Sequence, residues 1–233
     1  MKIALLGYGK MGKMIDLYAK KRKHRICFIL DKEYEKGSLT EADVAINFSV
    51  PESAVSNIKL ALENKIPVVC GTTGWLNRIS EVEKFCIKNN GGFLYSSNFS
   101  IGVNVFFKVN KYLAKLMSPE ILSYRASIEE IHHAEKLDSP SGTAISLAED
   151  IINSSAYEKW ELVTRNKKAL KIESIRDGDN PGTHSVNYIS KLDEISIKHE
   201  AYKRDGFALG AVIAAEWLVN KKGIFSMNDV LKI

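Results

Sequence analysis

Short runs of aliphatic and β-branched residues alternate with longer stretches of helical period over the first hundred positions. Lys2 to Leu6, Arg25 to Leu30, Val44 to Phe48, Pro67 to Cys70 and Gly92 to Ser96 read as strands. Their unbroken apolar character fits strands covered on both faces. Met11 to Lys21, Pro51 to Asn64 and Asn77 to Asn89 carry apolar residues at helical spacing, and Ser49 with Glu52 has the spacing of a capping box for the second of them. Strand and helix in alternation predict an α/β fold whose N-terminal part is a doubly wound parallel sheet of about five strands.

Beyond Phe99 the pattern changes. Val103 to Met117 and Thr143 to Asn153 read as helices, whereas Ser123 to His133, Leu162 to Arg176, His184 to Ser190 and Glu194 to Glu200 read as strands. Consecutive strands mixed with helices predict a central α+β domain with a mostly antiparallel sheet. A last helix, Phe207 to Asn220, is apolar enough to pack on a sheet face. No Pro/Gly-rich linker interrupts the chain, so the domain boundaries are expected near Phe99 and Arg204. Residues 1–99 with 205–233 then form one domain and 100–204 the other.

Composition narrows the function classes. The 233 residues are 45% apolar and 26% charged, an ordinary globular balance, with a net charge of +5 from 33 basic and 28 acidic residues. The lysines are dispersed among acids, and the densest basic run, Lys20 to Lys23, falls where a helix ends and cations suit its dipole. A nucleic-acid partner is therefore not expected. Cys27, Cys70 and Cys86 lack the number and spacing of a disulfide framework or zinc site. The apolar N-terminal run is too short for a signal peptide, and no run has the length of a membrane span. A soluble, cytoplasmic chain with no membrane partner is expected.

Gly7-Tyr8-Gly9-Lys10-Met11-Gly12 is a G-x-G-x-x-G turn between a predicted strand and a predicted helix. In that context Gly7 permits the tight turn, Gly9 lets a pyrophosphate approach the backbone, and Gly12 allows the helix to pack on the strand. The helix N-terminus offers its N–H groups to the phosphates. Asp31, 19 residues after Gly12, stands about where an acid receives the adenine-ribose hydroxyls, while Lys32 beside it suits a 2′-phosphate. The turn predicts a Rossmann-like dinucleotide site for NADH and/or NADPH. A phosphate-binding loop is the rival, through Gly7, Gly12 and Lys13, but Met14 has no hydroxyl for Mg²⁺.

In doubly wound sheets ligands bind beyond the carboxyl ends of the strands. The loops there, Gly71-Thr72-Thr73-Gly74 and Ser97-Asn98-Phe99-Ser100, present backbone groups and hydroxyls suited to a nicotinamide amide, with Phe99 placed to cover a ring face. The densest polar stretch runs from Glu129 to Ala144. Its adjacent histidines, His132 and His133, sit at a strand end and point to opposite faces, so they are poor joint metal ligands and no metal is expected. Proton transfer suits His132, His133 and nearby Lys136 better. Ser141, Gly142 and Thr143 at the next helix N-terminus form an anion seat. Ser141 lacks the G-x-S-x-G elbow of an activated nucleophile.

Together these landmarks resemble one family, 4-hydroxy-tetrahydrodipicolinate reductase, also called dihydrodipicolinate reductase. The Gly7-to-Gly12 turn, Asn47-Phe48-Ser49-Val50-Pro51, Gly71 to Gly74, Asn98 to Asn104, Glu130 to Ala144 and Gly223 to Met227 occur in the family's order. The resemblance implies a nucleotide-binding N-terminal domain and a central domain that holds a small dicarboxylate and builds a homotetramer. It implies that His132 donates and accepts a proton, that Lys136 donates one, and that His133 with Ser141, Gly142 and Thr143 holds substrate carboxylates. It also implies that the Gly7-to-Gly12 turn, Asp31, Gly71, Thr72, Thr73, Ser96, Ser97, Asn98 and Phe99 line the cofactor. Two features depart from the family: a short segment between Asp31 and Val44, and Asn47 where an acid is usual. A dehydrogenase of another small amino or keto acid, resembling aspartate dehydrogenase, and a non-catalytic cofactor sensor are the alternatives.

Overall fold

A computed structural model describes residues 1–32, 34–118, 123–203 and 205–233. The chain divides into two compact units, Met1–Ile101 with Asp205–Ile233, and Gly102–Arg204. Arg204, expected at a boundary, lies outside the described residues.

The first unit is built on strands β1 (Lys2–Leu6), β2 (Arg25–Leu30), β3 (Glu35–Gly37), β4 (Val44–Asn47), β5 (Val68–Cys70), β6 (Gly92–Tyr95) and, from the end of the chain, β12 (Gly223–Phe225). They lie in the order β12-β6-β5-β4-β1-β2-β3, and every pair is parallel except β2 with the edge strand β3. Chain order reverses between β1 and β4, which creates a switch point at their carboxyl ends. Helices α2 (Pro51–Glu63) and α3 (Ile79–Lys88) cover one face through Ala54, Val55, Ile58, Val82 and Cys86. On the other face lie α1 (Lys10–Lys21) and α6 (Asp205–Leu218), with Ile15, Ala19, Ala211 and Ala215 in the core. Seven strands stand where about five are predicted. β3 is wholly exposed and polar, and β12 has only three residues, so neither carries an apolar pattern to find.

The expected capping box on α2 does not form. Val50 is the N-cap and Pro51 opens the helix, while the Ser49 hydroxyl donates to the Val50 carbonyl at 3.3 Å. Pro51, with its preset φ and missing N–H, is suited to a helix's first position without a side-chain cap.

The second unit holds α4 (Ile101–Met117), β7 (Arg125–His132), α5 (Gly142–Ile152), β8 (Lys159–Glu161), β9 (Ala169–Arg176), β10 (Thr183–Ile189) and β11 (Glu194–Glu200). Its sheet, ordered β11-β10-β7-β9-β8, is mixed rather than mostly antiparallel. β10 runs against β7 and β11, but β9 runs parallel to β7 and β8. The crossover through α5 sets β8 in the direction of β7, and residues 162–168 bring the chain back to enter β9 in that same direction. β9 starts later than predicted because Thr164 and Asn166 spend their side chains on backbone N–H groups, Asn166 N to Thr164 Oγ1 at 3.0 Å and Lys168 N to Asn166 Oδ1 at 2.9 Å. Phe106, Ala114, Leu147 and Ile151 from α4 and α5 pack on Ile128, Leu170, Ile172 and Val186.

All three cysteines are buried free thiols. Among the described residues no helix is long and apolar enough to cross a membrane.

Candidate active site

In the first unit the glycine turn occupies the end of β1. Gly7 has φ of +101°, and a Cβ there would come within 2.2 Å of the Phe48 carbonyl oxygen. A Cβ on Gly12 would meet the Gly7 carbonyl at 2.3 Å, so helix and strand approach as closely as the motif requires. Gly9 differs: its missing Cβ would enter open space. It is the N-cap of α1, contributes no side-chain cap, and is followed by no acid in the first turn. The leading N–H groups are thus presented to solvent in a cradle fit for an anion. A cleft of about 390 Å³ opens there, lined by Gly7, Gly9, Asp31, Lys32 and Ser49 among others. These features fit the phosphates of a dinucleotide.

Tyr8 is held by its hydroxyl, which donates to Asp16 Oδ2 at 2.6 Å, and its ring meets Tyr34 edge-on at 6.5 Å. The bond to Asp16 pushes the Tyr8 phenol up to about 12. Lys10 and Met11 open α1, Lys10 exposed and Met11 packed against the core. Asp31 follows β2, its Oδ1 accepting from the Lys32 N–H at 2.8 Å.

The later loops are less open than the sequence suggests. Thr72 is buried, and its Oγ1 accepts from Ser49 N at 2.9 Å and Asn47 Nδ2 at 3.4 Å, tying the β4 and β5 loops together. Its hydroxyl is therefore not free for an amide. Gly71 is pressed against the Phe48 ring, and Thr73 is exposed. Ser96 Oγ donates to the Asn98 carbonyl at 2.7 Å, Asn98 Oδ1 accepts from Ser100 N at 2.9 Å, and Ser97 is exposed. Phe99 corrects an expectation. Its side chain is buried against Phe48 at 5.7 Å between centroids, so the ring belongs to the core rather than to a ligand face. Buried Asn47 donates to Thr72 and accepts from Asn57 Nδ2 at 3.1 Å, which gives its neutral side chain a structural role.

In the second unit the register of three strands assembles a buried polar cluster. His184 on β10 is opposite Glu130 on β7; Ser174 and Arg176 on β9 are opposite Glu130 and His132. Glu130 is wholly buried. Its Oε1 accepts from Ser141 N at 3.1 Å, Ser174 Oγ at 2.5 Å and both terminal nitrogens of Arg176 at 3.3 Å. Its Oε2 lies 2.9 Å from His132 Nδ1 and 3.8 Å from His184 Nε2. Burial alone would raise the carboxyl's pKa, but the bonds from His132, Ser141 and Ser174 outweigh it and hold Glu130 below the usual carboxylate range. His184 is lowered to about 3, first by burial and then by the nearby His132, so it is neutral at ordinary pH. Its ring meets His132 edge-on at 5.0 Å.

Glu130, His132 and His184 bring three ligand-type atoms within 4.8 Å of one another. The 2.9 Å separation of Oε2 and Nδ1 is shorter than the roughly 3.3 Å between tetrahedral zinc ligands. Arg176 lies on the other carboxylate oxygen, Oε1, so the charge of Glu130 is already balanced within an ion-pair network.

Lys136 is half-buried, its Nζ bound to both Asp138 oxygens at 2.7 and 2.8 Å, which holds the Asp138 carboxyl below its ordinary range. Arg176 clasps this loop, donating to the carbonyls of Lys136 at 3.3 Å and Asp138 at 2.5 Å. His133 is half-buried, its N–H held by the Asn180 carbonyl at 2.9 Å. Ser141 departs from its expected use. Its hydroxyl is buried, accepts from Ala144 N at 3.2 Å as the N-cap of α5, and shares a 3.1 Å bond with His184 Nε2. At the same turn Gly142 is exposed and Thr143 half-exposed.

Glu130, Arg176 and His184 are the residues that sequence reasoning passed over. Glu130 was findable, since it lies two positions before His132 and thus on the same strand face. The other two join only through pairing.

Both halves of the chain match models of one family. Residues 1–99 match the N-terminus of dihydrodipicolinate reductase, and residues 102–231 match its C-terminus. The 4-hydroxy-tetrahydrodipicolinate reductase of Christiangramia forsetii is 50% identical over 99% of this chain and 98% of its own. That of Archaeoglobus fulgidus is 37% identical over 84% of this chain and 78% of its own. Among solved structures, a dipicolinate-bound dihydrodipicolinate reductase from Paenisporosarcina sp. TG-14 shares the fold with a TM-score of 0.81 at 21% identity, over 98% of both chains.

Proposed function

Belonging to the dihydrodipicolinate reductase family, the chain is an NAD(P)H-dependent oxidoreductase that reduces 4-hydroxy-tetrahydrodipicolinate to tetrahydrodipicolinate in diaminopimelate and lysine biosynthesis, and we propose how its residues divide that work. The first unit holds the nucleotide. Gly7 to Gly12 seat the pyrophosphate on the α1 N-terminus, Asp31 takes the adenine-ribose hydroxyls, and Lys32 beside it accommodates a 2′-phosphate, so both NADH and NADPH are used. Gly71, Thr73, Ser97 and Asn98 meet the nicotinamide end through backbone groups and exposed side chains. When bound, the nucleotide supplies the hydride.

The second unit holds the dicarboxylate and moves protons. His132 exchanges a proton with the reacting molecule and Lys136 supplies another as the 4-hydroxyl leaves as water. His133, Gly142 and Thr143 receive the carboxylates, with Ser141 fixing the helix end that presents them. The observation that carries this reading is the convergence on one buried carboxylate. Glu130 binds His132 directly, the α5 N-cap through Ser141 N, and the Lys136 loop through Arg176. One anchor thereby sets proton donor, anion seat and lysine loop in fixed relation. The sheet face turned away from α4 and α5, which presents half-exposed Ser127, Glu129, Ser185 and Asn187, forms the homotetramer surface.

Steady-state kinetics of two variants test the assignment. His132→Gln lowers kcat by about 10²- to 10⁴-fold with little change in KM. Thr143→Val mainly raises KM. Equal, small effects from both overturn it. Fluorescence titration of NADH and NADPH, with and without pyridine-2,6-dicarboxylate, tests dual cofactor use.

A further inference from the structure

We propose that Glu130 is a positioning residue that fixes which ring nitrogen of His132 carries hydrogen, keeping it on Nδ1 and leaving Nε2 as the atom that exchanges a proton with the substrate. The inference rests on the reading of His132 as the proton donor.

The two oxygens of Glu130 have separate duties. Oε1 is saturated by donors, with the Ser141 N–H, the Ser174 hydroxyl and the Arg176 guanidinium all directed at it. Oε2 is left facing the imidazoles, and His132 Nδ1 is the nearer at 2.9 Å against 3.8 Å for His184 Nε2. An ionised carboxylate only accepts, so the nitrogen against it must carry hydrogen. The approach is oblique, a close ion pair outside hydrogen-bond geometry as it stands, and among the described residues no hydrogen bond claims Nδ1 or Oε2, so a small turn of the ring is all that a direct bond between them requires.

The rest of the cluster keeps Oε2 for His132. His184 is turned to Ser141, sharing the 3.1 Å bond at Nε2, and stands as a neutral wall. The opposite edge of His132 faces Gly182, where an added Cβ would lie 3.1 Å from Nε2. Glycine there leaves that nitrogen's approach uncrowded. A carboxylate against one nitrogen and a glycine, with no side chain to crowd it, beside the other is the arrangement that selects a tautomer and stabilises the imidazolium.

Glu130→Gln separates this role from a merely structural one. The three donors at Oε1 will claim the amide's carbonyl oxygen, which turns its NH₂ toward His132. Nδ1 must then accept, hydrogen moves to Nε2, and the imidazolium loses its counter-charge.

Two measurements decide the matter. In the unaltered protein, ¹⁵N NMR of the imidazoles, with His132 assigned by the His132→Gln spectrum, should show neutral His132 with hydrogen on Nδ1 and a bare Nε2. Hydrogen on Nε2 overturns the proposal, and this readout needs no Glu130 variant to fold. In Glu130→Gln, kcat should fall by about 10²- to 10⁴-fold, with substrate KM and NADH affinity within about twofold and the His132 tautomer reversed. Wild-type kcat, or a loss confined to KM, overturns it. If His132→Gln itself keeps wild-type kcat, the reading of His132 has failed. If His132→Gln loses kcat and Glu130→Gln does not, only the present inference has failed.

Discussion

Arg176 holds the Lys136 loop by the loop's own backbone: its guanidinium donates to the Lys136 carbonyl at 3.3 Å while also lying 3.3 Å from Glu130 Oε1. A cation from the last position of β9 thus connects the lysine to the carboxylate behind His132. No contact between the His132 and Lys136 side chains is needed for their spacing to be set.

Arg176→Met tests that connection. It leaves Glu130 short of a counter-charge and removes a donor from three carbonyls, those of Lys136, Asp138 and Ile175. Losing one partner of a fully buried pair costs about 3–5 kcal/mol. Arg176 keeps about a fifth of its side chain exposed, so a loss near the lower end is expected. Urea denaturation measures it. Activity should fall more than about tenfold, whereas NADH affinity, a property of the first unit, should hold.

The glycine turn gives a paired prediction. Gly12→Ala meets the Gly7 carbonyl at 2.3 Å and should lower the melting temperature. Gly9→Ala meets nothing and should leave folding within about 0.5 kcal/mol. If a pyrophosphate occupies that open space, the same methyl weakens nucleotide binding by about tenfold, ~1.4 kcal/mol. Calorimetric melts and fluorescence titration separate the two effects.

How much of this was legible in the sequence differs between the units. In the first, β1, β2, β4, β5 and β6 announce themselves because buried parallel strands are apolar throughout, and Gly7, Gly9 and Gly12 carry their spacing openly. Phe99 misled because an aromatic in a loop looks available, and only the packing of Phe48 shows it taken. In the second unit, His132, Lys136 and Ser141 are legible as a local string. Arg176 and His184 lie 44 and 52 residues after His132 in the sequence, on strands with no special composition. Their roles are set by register, and a slip of one residue would turn each to the other face.

Stability should depend on pH through His184. Folded, it is lowered to about 3; unfolded, its ordinary value is 6.5. The unfolded chain therefore binds the extra proton between those values, and stability falls as pH drops across that window, on the order of 1.4 kcal/mol for each unit. Glu130, held below its ordinary 4.5, adds a loss in the same direction in more acid solution. Denaturation at pH about 7 and about 5 should show the fall, and His184→Gln should flatten it.

Asn47→Leu removes a side chain that is both donor to Thr72 and acceptor from Asn57 at complete burial. Leaving Asn57 Nδ2 without its acceptor, while Thr72 keeps its bond from Ser49 N, should cost about 1–3 kcal/mol. Because Thr72 ties the β4 and β5 loops, nucleotide affinity should fall as well, read from the same NADH titration.

The most direct measurement is nucleotide consumption by the purified chain, supplied with freshly generated 4-hydroxy-tetrahydrodipicolinate and NADH or NADPH in turn. Rapid loss of reduced nicotinamide is expected with that substrate, at a kcat/KM at least about 10²-fold above that for other small amino or keto acids. Tight nucleotide binding without turnover of it, or faster turnover of another acid, under conditions where a reductase of the family is active, would contradict the assigned reaction.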